Sequence, residues 1–287
     1  MSIRDQHGGR RSRPNHFLSV RINNAKIWQE IELVQQRVLS SRPDLQGAVI
    51  PVQNLHLTLF VATLSDNDGT LKMAQDVLTS CGDLLVEYGL LPMQEVGYKS
   101  PRCANDGKDK PTSASAGLKE IEDRQRELEV DFAWRGPLCL TFEGLGSFSD
   151  RVLYACLVED RQADRLRRLT AAIHARFVES KLVEPSPNDN DFRFTPHLTI
   201  MKTSKMHRPT KKSRRRDRGD SKAHIRISIP PDCYDGIDSC FGSHTPAALE
   251  LSSMEQHEPA PVPEEYGQEA LPYYACISRL EFTLNEL

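Results

Sequence analysis

Two hydrophobic patterns take turns along the chain. Residues 17–22 are apolar, β-branched and aromatic, which predicts a strand. Ile27, Ile31, Val34 and Val38 follow at helical spacing, so residues 25–41 read as an amphipathic helix, capped by Asn23-Asn24 and ended by Pro43. Val49–Val52 reads as a short extended piece, and residues 55–59 as a strand. Ser65 and Asp66 are read as the cap of a helix to about Gly89, with Leu71, Ala74, Leu78 and Leu85 on its buried stripe. After a polar stretch, residues 138–142 read as a strand, with Gly144 and Gly146 at a turn. Residues 152–158 give another strand, Leu166, Leu169, Ile173 and Phe177 a helix over 161–180, and residues 196–200 a further strand. Residues 225–229, a segment around Leu249 and Leu251, and residues 273–284 complete the predicted strands, with an acidic, Pro-rich loop at 255–269.

Two of these strands carry the same polar pair. Leu55-His56-Leu57-Thr58-Leu59 is echoed by Pro196-His197-Leu198-Thr199-Ile200. Side chains alternate across a strand. His56, Thr58 and Phe60 are therefore expected on one face, with Leu55, Leu57 and Leu59 behind. His197 and Thr199 share a face in the second copy. A single His-x-Thr in an apolar strand arises readily by chance, because Thr favours strands. The context argues otherwise: strand, helix and His strand follow in the same order in both halves, an internal repeat of one supersecondary unit. Two related lobes facing each other would bring two imidazoles and two hydroxyls to one cleft.

Composition changes this picture at the margins. Only 38% of the 287 residues are hydrophobic, which points to polar insertions in an otherwise folded chain. Residues 1–14 read as a disordered Gly/Arg-rich tail, and 15–287 as a single domain with insertions at 93–135, 206–224 and 255–271; a solvated helix is read at 118–129. The net charge of −3 gives no global reason to bind nucleic acid or membrane. Locally, the basic run over 208–218 suits RNA or a nuclear import receptor, or a solvated loop. The seven cysteines include no C-x-x-C pair, which argues against structural zinc and a disulfide framework. No signal peptide, lipidation motif or membrane span is read, so the expected location is cytoplasmic, nuclear or both. No carboxylate cluster beside either histidine points to a metal, and no cofactor is expected.

The paired motifs resemble the 2H phosphoesterase superfamily. With Pro14-Asn15-His16-Phe17-Leu18-Ser19, Leu140–Gly146 and Phe194–Lys205, the chain is similar to the branch typified by the central domain of A-kinase anchor protein seven/eighteen. The resemblance implies a bilobal α+β fold: two pseudo-symmetric lobes, each with an antiparallel sheet and helices, flanking a central cleft. It implies metal-independent cleavage of RNA-like phosphodiesters, 2′,5′-linked or with 2′,3′-cyclic ends. His56 and His197 match the catalytic positions and Thr58 and Thr199 the phosphate-binding ones; Phe194 and Arg193 are candidate base or phosphate contacts. A nucleotide or oligoribonucleotide is the expected substrate. Two other readings stand beside this one. The same cleft would serve a nucleotide- or RNA-binding module without turnover. A kinase-anchoring scaffold is disfavoured, because residues 273–287 lack the helical apolar stripe that would hold a protein kinase A regulatory subunit.

Overall fold

The computed structural model describes residues 13–90, 136–185, 194–206, 227–237, 239–267 and 270–282. In chain order the main elements are β1 (His16–Arg21), α1 (Ala25–Ser41), β2 (His56–Ala62), α2 (Thr70–Ser80), α3 (Gly82–Glu87), β3 (Leu140–Phe148), β4 (Val152–Leu157), α4 (Arg161–Glu179), β5 (His197–Lys202), β6 (Cys240–His244), β7 (Ala248–Ala260) and β8 (Leu271–Glu281). The strands form one antiparallel sheet in the order β6-β3-β4-β5-β2-β1-β7-β8. The α+β architecture expected from the sequence is therefore present, with the sheets of the two halves joined edge to edge. The joint is the pair Leu57↔Leu198 between β2 and β5. Reading outward from this seam, β2 and β1 mirror β5 and β4, so the internal repeat becomes a pseudo-twofold.

Local chemistry explains the helices. Asn24 Oδ1 accepts from Ile27 N–H at the start of α1, and Asp160 accepts from Gln162 and Ala163 N–H at the start of α4. Each cap satisfies amides that the first helical turn leaves unpaired. The helices also tie the halves together. α1 lies against β5 and β6 of the second half, and its buried Gln35 donates to the carbonyls of Ile50 and Ile200. α4 sets His174 and Phe177 against Phe60 of β2 in the first half. Each long helix thus crosses beneath the other half's strands. Arg165 of α4 is 2% exposed and donates to the carbonyls of Tyr88 and Gly136, both at 2.8 Å. Gly136 N–H donates to Gly89 O, so the two ends of the stretch 91–135 meet.

Several sequence expectations are corrected. The helix expected from Ser65 to Gly89 is two, broken at Cys81–Gly82, where glycine weakens helix propagation. Its entry is a turn in which Asp68 Oδ1 accepts from Thr70 N–H, not a cap at Ser65 or Asp66. Gly144 and Gly146 do not turn the chain: β3 runs through both to Phe148. Gly144 has φ +78° at a register shift, and the reversal falls at Ser149-Asp150, both at positive φ. Ile227–Ile229 is not a strand, although Ile229 is buried and its amide donates to Asp150 O. The acidic stretch from Glu255 begins as strand, because β7 re-pairs with β8 at His257↔Tyr274 after a long irregularity. The insertion at 93–135 with its helix at 118–129, and the basic run 208–218, lie outside the described residues.

Candidate active site

The site is built on the seam. In an antiparallel pair, neighbours on either side of a matched pair also face each other. About Leu57↔Leu198, this sets His56 toward Thr199 and Thr58 toward His197. Leu57 and Leu198 are fully buried, while His56, Thr58, His197 and Thr199 are all half-buried. The four side chains therefore share the open face of the sheet, each imidazole across from the other motif's hydroxyl.

Phe60 does not join them. In the β1–β2 pairing Leu18↔Phe60 is followed by Ser19↔Thr58, so Leu59 is an extra residue. Such a bulge inverts the alternation of everything beyond it. Phe60 turns to the helix side, 5.1 Å ring to ring from Phe177, and Val61 becomes exposed. The second motif bulges at the matching place: Tyr154↔Thr199 is followed by Leu153↔Met201, leaving Ile200 extra. Its carbonyl is taken by Ile50 N–H and Gln35 Nε2. The repeat thus extends to a shared backbone irregularity, just past each threonine.

Both imidazoles are oriented by the same bond. His56 Nδ1 lies 2.8 Å from Asn54 O, and His197 Nδ1 lies 2.8 Å from Thr195 O. A carbonyl oxygen only accepts, so Nδ1 carries the hydrogen in each. In the neutral ring Nε2 then holds a lone pair; in the charged ring Nε2 is a donor, and the Nδ1 bond is kept. Either histidine can therefore serve as base or as acid without reorienting. An aromatic pair walls each ring. His56 lies 4.8 Å from the Phe17 ring and edge-on to Tyr274. His197 lies 4.9 Å from Phe148 and 5.4 Å from Tyr154, rings that stack on each other at 4.4 Å.

Arg21 stands here without any motif signal in the sequence. Arg21 pairs with His56 across β1–β2. Its guanidinium lies 4.4 Å over the Tyr273 ring and donates to Pro261 O. Burial lowers its pKa. Gly146 sits opposite Tyr154, so close that a Cβ there would lie 2.5 Å from the Tyr154 ring. Phe194 is partly buried against the hydrophobic core, and Arg193 lies outside the described residues. Among the described residues no group of three or more His, Cys, Asp or Glu is placed to hold a metal ion, and no helix is long and apolar enough to cross a membrane.

An antiparallel α+β sheet with paired His-x-Thr motifs on its open face defines a 2H phosphoesterase, a phosphodiesterase superfamily. The chain belongs to the family described as the AKAP7 2′5′ RNA ligase-like domain, whose model matches residues 14–262. It is 23% identical over 242 residues to human A-kinase anchor protein 7 isoform gamma, covering 84% of this chain and 52% of that protein. The chain thus spans about half the length of this curated relative. Among solved structures, a phosphoesterase is 14% identical, covers 95% of this chain and 100% of its own, and has a TM-score of 0.47. LigT of E. coli, complexed with 3′-AMP, is 14% identical, with coverage of 94% and 99% and a TM-score of 0.45. Family membership supports a phosphodiesterase-type or nucleotide-binding function.

Proposed function

We propose that this protein cleaves RNA-like phosphodiesters, 2′,5′-linked or 2′,3′-cyclic, by two-histidine acid–base catalysis without a metal. The matched Nδ1–carbonyl bond on two strands of opposite direction carries this reading. One histidine takes a proton from the attacking oxygen, a water or a ribose hydroxyl, through Nε2. The other gives its Nε2 proton to the leaving oxygen. Imidazole suits both tasks near neutrality. Thr58 and Thr199 donate to the non-bridging oxygens as negative charge gathers there.

The test is a panel of 2′,5′-linked dinucleotide, 3′,5′-linked dinucleotide and 2′,3′-cyclic nucleotide, each with and without EDTA. Turnover of the first or third, unchanged by EDTA and falling at both acid and alkaline pH, is the expected result. Tight nucleotide binding without turnover would replace this reading with the binding-module one. Loss of rate in EDTA, restored by a divalent cation, would replace the mechanism. The basic run at 208–218 is proposed as a nuclear import or RNA contact. Neutralising it should then shift a tagged protein out of the nucleus or weaken RNA retention.

A further inference from the structure

Beside His56 lies a second polar group that the acid–base chemistry does not use. A cavity of about 490 Å³ opens there between β1, β7 and β8, lined by Arg21, Glu250, Glu258, Tyr273 and Arg279 among others. Register connects it to the seam: Thr58 pairs with Ser19, Ser19 with Glu250, and Glu250 with Arg279. Strands in a sheet are spaced by about 4.8 Å, which sets Glu250 about 10 Å along the sheet from Thr58.

The group is unfinished. Arg21 Nε and the Ser252 hydroxyl are buried with no hydrogen-bond partner among the described residues, and the Ser19 and Tyr273 hydroxyls have only each other. Ser19 and Ser252 are 0% exposed and Tyr273 is 2% exposed. Glu250 is 6% exposed, and its ion pair with Arg279 is long, at 3.4 Å. A buried polar group without a partner costs on the order of 1–3 kcal/mol. Of these residues Arg21 and Tyr273 line the cavity, with Ser19 and Ser252 behind them, and the cavity is therefore a place that something polar completes.

The charges identify what. Two guanidiniums and two carboxylates line the cavity, and Glu281 approaches Arg279 as well. The cavity has no net positive charge to hold a further phosphate. It offers a carboxylate that accepts, hydroxyls that do either, and guanidiniums that donate. That set suits a neutral planar edge with donors and acceptors side by side.

Resting on the phosphodiesterase reading, we infer that this cavity is a nucleobase subsite that favours guanine. Guanine presents two adjacent N–H donors, N1–H and the N2 amino group, to the Glu250 carboxylate, and its O6 to a guanidinium or hydroxyl. Adenine and cytosine bring only an amino group, and uracil a single ring N–H. A nucleotide whose phosphate sits on the seam would place its base in the cavity by reaching across β1.

Calorimetric binding of the 5′-monophosphates GMP, IMP, AMP, CMP and UMP to the intact protein tests this, with inorganic phosphate as a probe of the seam alone. IMP lacks only the N2 amino group, so GMP should bind about tenfold more tightly than IMP, the size of one hydrogen bond to a charged group. Glu250→Gln should abolish that difference. If this variant fails to fold, the GMP–IMP comparison on the unaltered chain decides. Equal affinity for all five nucleotides, with phosphate still bound, would overturn the subsite and leave the phosphodiesterase reading standing. Binding of neither phosphate nor nucleotide would overturn both.

Discussion

The two halves of the site share a backbone and differ in what surrounds it. His56 and His197 begin equivalent strands, each bonded through Nδ1 to the carbonyl two residues before it. Each strand bulges just after its threonine. The neighbouring strands then diverge. Opposite His56 and Thr58 stand Arg21 and Ser19; opposite His197 and Thr199 stand Cys156 and Tyr154. The first half opens on a charged cavity, the second on the stacked rings of Phe148 and Tyr154. On the proposed reading, the shared geometry would handle the phosphate, which is symmetric about its non-bridging oxygens. The divergent walls would then give the cleft a direction, so that the two ends of a diester meet different chemistry.

Substitutions at the symmetric positions should have the largest effects and should be equal in the two halves. His56→Ala and His197→Ala are each expected to lower kcat by about 10²–10⁴-fold, the range of general acid–base catalysis. Circular dichroism should be unchanged, since neither ring fills the core. A tenfold inequality between them would break the symmetry claimed for the chemistry. Thr58→Val and Thr199→Val keep the shape and remove the hydroxyl. Each should cost about 10²-fold in kcat, as for loss of one donor to a developing oxyanion.

Changes to the walls should be smaller and unequal. In Gly146→Ala the new methyl meets the Tyr154 ring at 2.5 Å. The ring must leave its place beside His197, at an overpacking cost of about 1–3 kcal/mol. Loss of about tenfold in kcat/KM and a lowered Tm are expected. Gly144→Ala meets no neighbour within 4 Å but keeps φ +78°, and should cost about 1 kcal/mol of stability through the backbone alone.

Three histidines outside the seam set the response of stability to acid. Burial holds His16, His174 and His244 below the ordinary value of 6.5. As pH falls through 6.5 the unfolded chain takes up protons that the folded chain refuses. Their contribution is therefore complete above 6.5 and is lost below it. Glu250 has the opposite sign: burial raises its pKa, so its cost to the fold grows as pH rises past 4.5. A Tm that falls from about pH 7 to about pH 5 is expected, as the three imidazoles outnumber the one carboxyl. His244→Asn should reduce the fall. The smallest effect is expected from replacing residues 91–135 by a short Gly/Ser linker. Arg165 holds the residues on both sides of that stretch, and the cost of closing a flexible linker grows only logarithmically with its length. Tm should move by no more than about 2 °C.

Much of this was legible in the residues. The His-x-Thr pair, the order of elements around it and the cap at Asn24 follow from local periodicity and side-chain chemistry. What escaped depends on contacts between distant segments. Nothing in Leu-Thr-Leu-Phe announces a bulge at Leu59, which shows only in the pairing of β2 with β1, so simple alternation sets Phe60 on the wrong face. Gly144 and Gly146 resemble a turn, because glycine serves equally for reversal, bulge and close approach; the Tyr154 ring that explains Gly146 comes from another strand. The polar cavity joins Arg21 to residues more than two hundred positions later, and no local pattern connects them.

The crossed helices make the molecule a natural split pair. A cut within 91–135 leaves one piece with β1, β2 and α1 to α3, and another with β3 to β8 and α4. Each piece holds one His-x-Thr motif, and neither carries the strands that its own long helix covers. β1 has lost β7, and α4 has lost Phe60. Neither piece should report activity by itself, whereas mixing them should restore it as the helices find their places. Turnover would then count encounters between the pieces, a readout for the proximity of whatever each is fused to.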